Sequence, residues 1–163
     1  MNFTIKTSTN KALKENLSRI PNYTVHQETA AGLVEILKTN HEIISAKFVN
    51  NKEINFKNPD NLACNTTIEN VPNQLLLSGT DFQIKVWKAT LEIPDGKTVT
   101  YQELALMIGH PKSFRAVANA LGQNKIAYFI PCHRVIRKNG ELGGYKWGIE
   151  IKRSLLDFEK LQK

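Results

Sequence analysis

Cysteine is scarce in this 163-residue chain, which has only Cys64 and Cys132. Two thiols cannot supply a disulfide framework, so the fold must rest on its core. With four histidines and no Cys-x-x-Cys or His-x-x-x-His spacing, a structural zinc site has no ligand set, and neither metal nor cofactor is expected. Long apolar runs are also missing. No stretch approaches the ~18 residues that span a bilayer, and the opening Met1-Asn2-Phe3-Thr4-Ile5-Lys6 has no apolar h-region, so no membrane partner is expected. The expected compartment is a reducing cytoplasm, and nothing in the pattern points beyond a monomer.

Acidic residues are thin where basic ones gather. Residues 81–163 carry 14 Lys+Arg against 8 Asp+Glu, whereas residues 1–80 carry 8 against 7, within a formal net charge of +7. Phosphate is the usual counterpart of such asymmetry, because neutralising it releases condensed counterions. A merely soluble basic surface would have the same composition, so a binding element has to be found.

The first 23 residues are polar and aperiodic apart from Ala12, Leu13, Leu17 and Ile20, and read as a loose tail or one short helix. Short apolar runs at Leu33–Leu37, Ile43–Phe48 and Ile54–Phe56 predict a small antiparallel meander. Residues 57–79, rich in Asn and Pro, read as a linker in which Leu75-Leu76-Leu77 could dock on a second domain, with the boundary near Ser78-Gly79. This gives a tail at 1–23, a sheet domain with linker at 24–78 and a second domain at 79–163.

Helical signals then strengthen. Thr80-Asp81 precedes Phe82, Val86, Trp87 and Leu91 at helical spacing, and Pro94-Asp95-Gly96 ends the segment. Thr100-Tyr101-Gln102-Glu103 has the form of a capping box opening a helix that stops at Gly109-His110-Pro111. Another helix runs from Ser113 to Gly122, with Val117 and Leu121 inward and Arg115, Ala116, Ala118 and Asn119 outward. Two helices joined by a Gly-containing turn fit a helix-turn-helix, although by composition alone such a pattern is more often a plain helical hairpin. Ile126–Ile130 reads as a buried strand, Asn139-Gly140 as a hairpin turn, and Gly143-Gly144 as needing unusual backbone geometry. Glu150–Lys163 reads as an amphipathic helix with Ile151, Leu155 and Phe158 inward and Glu159 at the edge.

The most informative stretch is Ile130-Pro131-Cys132-His133-Arg134-Val135. An imidazole or guanidinium within reach lowers a cysteine pKa from ~8.5 into a range of roughly 3.5 to 7.5, which makes a thiolate nucleophile. The same six residues also suit a buried, inert cysteine.

These residues, together with Phe82–Trp87, Thr98-Val99-Thr100-Tyr101, Arg115–Ala120, Asn124 and Gly144-Tyr145, resemble in order and spacing the C-terminal domain of the O6-alkylguanine-DNA alkyltransferases. The likeness runs from Gly79 to Glu159, and Trp147 resembles the bacterial adaptive-response branch. The resemblance implies an α+β or α/β chain. A small, reduced ribonuclease-H-like antiparallel-sheet domain would precede a mostly helical, winged helix-turn-helix-like domain carrying the acceptor cysteine. It implies stoichiometric, irreversible DNA repair, in which a methyl group leaves O6 of guanine in double-stranded DNA for Cys132 after base flipping. Minor activity on O4-methylthymine would be compatible. The competing classes are a cysteine hydrolase, which needs a separate histidine on the sulfur while His26, His41 and His110 have no motif around them, and a DNA-binding regulator or a lesion-binding protein without transfer, neither of which uses the Cys132 setting.

The resemblance also implies roles. Cys132 is the acceptor, and His133 the base that reaches it through a water, since neighbours in an extended segment point to opposite sides. Glu159 orients the imidazole, Asn124 braces the active-site turn, and the Tyr101 hydroxyl supports the leaving base. Arg115 fills the gap left by the extruded base on a helix whose Ala116, Ala118, Asn119 and Ala120 lie in the minor groove, and Arg134 contacts DNA. Val135, Tyr145, Lys146 and Trp147 wall the pocket, with the bulk of Trp147 favouring small alkyl groups. Taken singly, Glu159 would be a solvated residue, Arg115 a surface ion-pair partner, His133 a structural histidine, Tyr101 a half-buried aromatic and Asn124 a helix cap. Their joint occurrence argues for function.

Overall fold

The computed structural model describes residues 4–17, 20–49 and 72–162. The Ile54–Phe56 run, Cys64 and most of the Asn- and Pro-rich segment lie outside the described residues. Two compact units emerge, one containing residues up to Thr80 together with Lys125–Ala127, the other Asp81–Asn124 and Tyr128 onward. The whole is a mixed α+β fold in which an antiparallel-dominated sheet accompanies several helices.

The first unit is built on a five-stranded sheet in the order β1-β5-β4-β3-β2, comprising β1 (Thr4–Ser8), β2 (Tyr23–Thr29), β3 (Gly32–Lys38), β4 (Ile43–Val49) and β5 (Gln74–Ser78), with helix α1 at Asn10–Leu17. β2, β3 and β4 form the expected antiparallel meander, and Gly32 turns the β2–β3 hairpin with φ +121°. Alternation sets the buried face. Val34 and Ile36 of β3 sit beside Phe48 and Ala46 of β4, and Ile43 beside Leu75 of β5, with Val34, Ile36, Ile43 and Leu75 fully buried. Each such side chain contributes roughly 1.5–3 kcal/mol on leaving water.

Three expectations change here. β1 and β5 pair parallel, and β5 also meets β4 in parallel, so the sheet is not purely antiparallel. Leu75-Leu76-Leu77 is neither linker nor docking segment: Leu75 and Leu77 are core residues of this sheet. Of the loose tail or short helix expected at the start, the short helix is present as α1, and it is preceded by β1, an edge strand whose single apolar residue, Ile5, gives no alternation to show.

In the second unit α2 (Asp81–Leu91), α3 (Tyr101–Met107) and α4 (Phe114–Gly122) pack on one another. Val86 and Trp87 of α2 are buried, and the indole Nε1–H donates to the Ala120 carbonyl at 2.9 Å. The capping box forms as expected: the Glu103 amide donates to Thr100 Oγ1 (3.1 Å), and Glu103 Oε2 accepts from the Thr100 amide (2.6 Å). α3 gives way at Gly109, whose φ of +74° suits glycine. Val117 and Leu121 are buried on α4. Ala120, expected toward the groove, is buried with them at 4% exposure.

Ile126–Ile130 is not a strand. Only Ile126 makes a bridge, to Ala46, within the first unit, and Tyr128 then takes a left-handed φ of +69° that ends extended geometry. Beyond it lie a 3₁₀ turn at Cys132–Arg134 and β7 (Val135–Ile136), which pairs parallel with β6 (Val99–Thr100). Asn139-Gly140 makes a turn closed by the Arg137 amide on the Glu141 carbonyl (2.9 Å), although no ladder follows. α5 (Ile149–Leu161) buries Lys152, Leu155 and Leu156, while Phe158 is 40% exposed. Its inward face is therefore rotated from the expected Ile151-Leu155-Phe158 stripe to positions 152, 155, 156 and 159.

Candidate active site

The 3₁₀ turn aims three consecutive side chains in three directions, because three residues complete a turn. Cys132 and His133 therefore diverge through turn geometry, not through the extended geometry expected from sequence. The Cys132 amide donates back to the Ile130 carbonyl at 2.7 Å, which tightens the bend after Pro131. Cys132 is 6% exposed and lines a cleft of about 300 Å³ with Tyr101, Ala118, Asn119, Tyr145 and Lys146. The thiol is buried, yet it borders open space.

Asn124 braces this turn from the end of α4. Fully buried, its Nδ2 donates to the Ile130 carbonyl and to Cys132 Sγ, both at 3.4 Å, while its own carbonyl accepts from Lys146 Nζ at 3.0 Å. Burial pushes the Cys132 thiol above its ordinary value, opposed by the Asn124 hydrogen bond and then by the charge of Lys152. That direction favours a resting thiol over the standing thiolate expected from sequence. A base must take its proton as it reacts.

His133, 2% exposed, is that candidate. Its Nε2 lies 2.8 Å from Glu159 Oε1, so the carboxylate fixes the hydrogen on Nε2. Nδ1 is buried and meets no hydrogen-bond partner among the described residues. Burial lowers the imidazole pKa, with Glu159 opposing, so the ring stays neutral with a lone pair at Nδ1.

Glu159 gathers more than His133. Its Oε2 accepts from the Gly96 amide at 3.0 Å, and Arg134 Nε lies 3.0 and 3.1 Å from its two oxygens. Burial opposes ionisation, but hydrogen bonds from His133, Arg134 and Gly96 outweigh it and hold the carboxyl at about 2. The Arg134 guanidinium also binds the Ile93 carbonyl (2.5 Å) and Asp95, and its side chain is only 12% exposed. Arg134 is thus committed to an internal network, against the expectation that it contacts DNA.

The pocket wall also differs from expectation. Tyr145 and Lys146 line the cleft, whereas Val135 is fully buried in its pairing with Val99, and Trp147 packs edge-on behind Tyr145 with ring centroids 5.3 Å apart. The Tyr145 hydroxyl is buried and reaches no partner with hydrogen-bonding geometry among the described residues; burial, followed by the nearby Cys132, raises its pKa. Burial, then Cys132, also raises the Tyr101 pKa, with Arg137 opposing, so that hydroxyl remains a donor. A Cβ on Gly143 (φ +71°) would come within 3.0 Å of the Tyr101 oxygen, so glycine there leaves room for the phenol.

Arg115, Ala116 and Asn119 are exposed along α4, Ala118 is half-buried, and Arg115 lines a second cleft of about 520 Å³ that shares Tyr101, Ala118 and Gly144 with the first. Residues 81–161 match the family described as 6-O-methylguanine DNA methyltransferase, DNA binding domain. The chain is 46% identical over 147 residues to the probable methylated-DNA–protein-cysteine methyltransferase of Acanthamoeba polyphaga mimivirus, covering 82% of this chain and 93% of that one. It belongs to the methylated-DNA–protein-cysteine methyltransferase family. The Escherichia coli bifunctional transcriptional activator/DNA repair enzyme Ada is 55% identical over 80 residues, covering 49% of this chain and 23% of that one. A crystal structure of Mycobacterium tuberculosis OGT in complex with DNA aligns with a TM-score of 0.66 at 30% identity, covering 85% of this chain and 93% of that one.

Sequence reading did not find Lys152. Fully buried, its Nζ donates to the Val135 carbonyl (2.6 Å) and the Leu142 carbonyl (2.5 Å), and burial lowers its pKa to about 8 against the opposing pull of Cys132. Its spacing from Leu155, Leu156 and Glu159 was the available signal, since a lysine on a helix's apolar face is rare unless paired. Lys152→Met keeps the stem but strands two carbonyls, so it should destabilise the fold by about 2 kcal/mol in urea melts. It should also raise the pH at which Cys132 reacts with a disulfide probe.

Proposed function

We propose that this chain repairs DNA by transferring a methyl group from O6 of guanine to Cys132, once per molecule. The observation that carries the reading is a thiol bordering a cleft, braced by Asn124, beside an imidazole locked by Glu159. The lesion is inside the duplex, so the nucleotide must be flipped into the cleft, at an unstacking cost of a few kcal/mol. Arg115 fills the gap in the stack, and Ala116, Ala118 and Asn119 let α4 approach the minor groove.

In the reaction the S–C bond forms as the O6–C bond breaks, in line. The thiol proton passes through a water to His133 Nδ1, and Glu159 stabilises the imidazolium. Guanine departs as an oxyanion that the Tyr101 hydroxyl supports, and the proton taken up by His133 returns through solvent to neutralise it. Unlike a thioester, the thioether has no hydrolytic exit, so the protein is consumed. Lys152 offsets charge developing on sulfur.

The finer architecture belongs to the same proposal. The first unit serves as a reduced ribonuclease-H-like domain, while residues 79–163 act as a winged helix-turn-helix domain, with α4 as the DNA-facing helix. The protein works as a cytoplasmic monomer, and O4-methylthymine is a minor substrate. No helix among the described residues is long and apolar enough to cross a membrane.

The test is titration of a duplex whose restriction site is blocked by O6-methylguanine. Cleavage should be restored to one duplex per protein molecule and then stop; continued turnover would contradict the proposal. Arg115→Ala should slow transfer from duplex about tenfold or more, in line with lost stacking support, yet leave transfer from free O6-methylguanine unchanged. Equal losses on both substrates would count against the gap-filling role.

A further inference from the structure

We propose that Phe114 is a second insert into DNA, an apolar wedge that enters the base stack beside Arg115. The proposal rests on the repair reading and extends it to a residue that reading does not use. Phe114 opens α4 and is 43% exposed, an aromatic ring left in water at the first turn of the helix that carries Arg115. The Arg115 guanidinium carbon lies 5.7 Å from the ring centroid, so the two side chains are presented together as a cation–π pair.

Their surroundings identify the partner's chemistry. Phe114 lines the cleft of about 520 Å³ with Arg115, Arg137, Lys138 and Tyr101, and no carboxylate is among the residues lining it. Arg137 is paired with Glu141 at 2.7 Å, and the exposed cations Arg115 and Lys138 call for an anionic backbone, whereas an exposed ring among them calls for a flat apolar face. A nucleic acid supplies both at one spacing, phosphates outside and base faces within. The cleft adjoins the acceptor cleft through Tyr101, Ala118 and Gly144, so a wedge here acts on the steps next to the flipped nucleotide.

A wedge matters only where there is a stack to open. Single-turnover methyl transfer is therefore compared on O6-methylguanine in a duplex and in a single-stranded oligonucleotide, using the full chain. Phe114→Ala should slow duplex transfer about tenfold while leaving single-strand transfer essentially unchanged, as expected for loss of one base–aromatic contact. Phe114→Gln, which keeps the length but not the apolar face, should behave like the alanine variant, and Phe114→Trp should retain the parental duplex rate. Parental duplex rates in both truncating variants would overturn the wedge, as would equal slowing on the two substrates. Failure of the parent protein to methylate itself on either substrate would overturn the repair reading beneath it, a result distinguishable from both.

Discussion

Cys132→Ala should abolish methyl transfer from duplex DNA while binding the lesion-bearing duplex as the parent does. The variant removes only the sulfur at the end of the cleft, and no other described side chain there offers a comparable nucleophile. Affinity has a different origin. It comes from cations facing phosphates and from the exposed face of α4, and neither depends on the thiol. Asn124 loses one partner but keeps the Ile130 carbonyl, so the turn should persist. A gel-shift titration beside a transfer assay separates the two properties. Residual transfer would refute the acceptor assignment, and lost binding with intact folding would place the thiol in recognition instead.

Glu159→Gln should have the second largest effect, because one carboxylate serves the imidazole, the Arg134 guanidinium and the Gly96 amide. An amide offers one acceptor oxygen to several donors and turns its own N–H groups toward them, leaving a guanidinium that is 12% exposed with only the exposed Asp95 as counter-charge. His133 then loses the group that fixes its tautomer and stabilises its charged form. Single-turnover transfer at neutral pH should fall by about a hundredfold, the scale of a disabled general base.

The same substitution has a pH signature. The folded-state carboxyl titrates at about 2, below the ordinary 4.5, so its contribution to stability is complete above pH 4.5 and is lost as pH falls from there toward 2. Urea melts of the parent should show that acid-dependent loss, and Glu159→Gln should be less stable at pH 7 with a shallower decline on acidification. Parallel pH profiles for the two proteins would mean the carboxylate is not held by its neighbours.

What was legible in the sequence was local. α2 and the capping box at Thr100–Glu103 announce themselves through spacing and side-chain chemistry within a turn or two, and so does the stop at Gly109. Cys132, His133 and Glu159 stood out through the motif they share with a known family. The structure adds that the histidine and the carboxylate meet at 2.8 Å.

What was not legible was set by distant partners. β1 has one apolar residue and exists because β5 offers it an edge, and Leu75-Leu76-Leu77 reads as linker until β1 and β4 flank it. The apolar run at Ile126–Ile130 looked like a strand, but only Ile126 finds a pairing partner before Tyr128 turns the backbone away. Arg134 looked free for DNA because nothing local reveals that Ile93, Asp95 and Glu159 converge on it. Lys152 was hidden by a choice of helix face one position out of register.

The most direct test is the intact mass of the protein after mixing with an O6-methylguanine duplex, followed by peptide mapping. A gain of a single methyl group, confined to the peptide containing Cys132 and never exceeding one per molecule, is the expected result. An unchanged mass with the lesion gone would point to hydrolytic turnover, and an unchanged mass with the lesion intact to binding alone; either would contradict the assignment of Cys132 as a consumed acceptor.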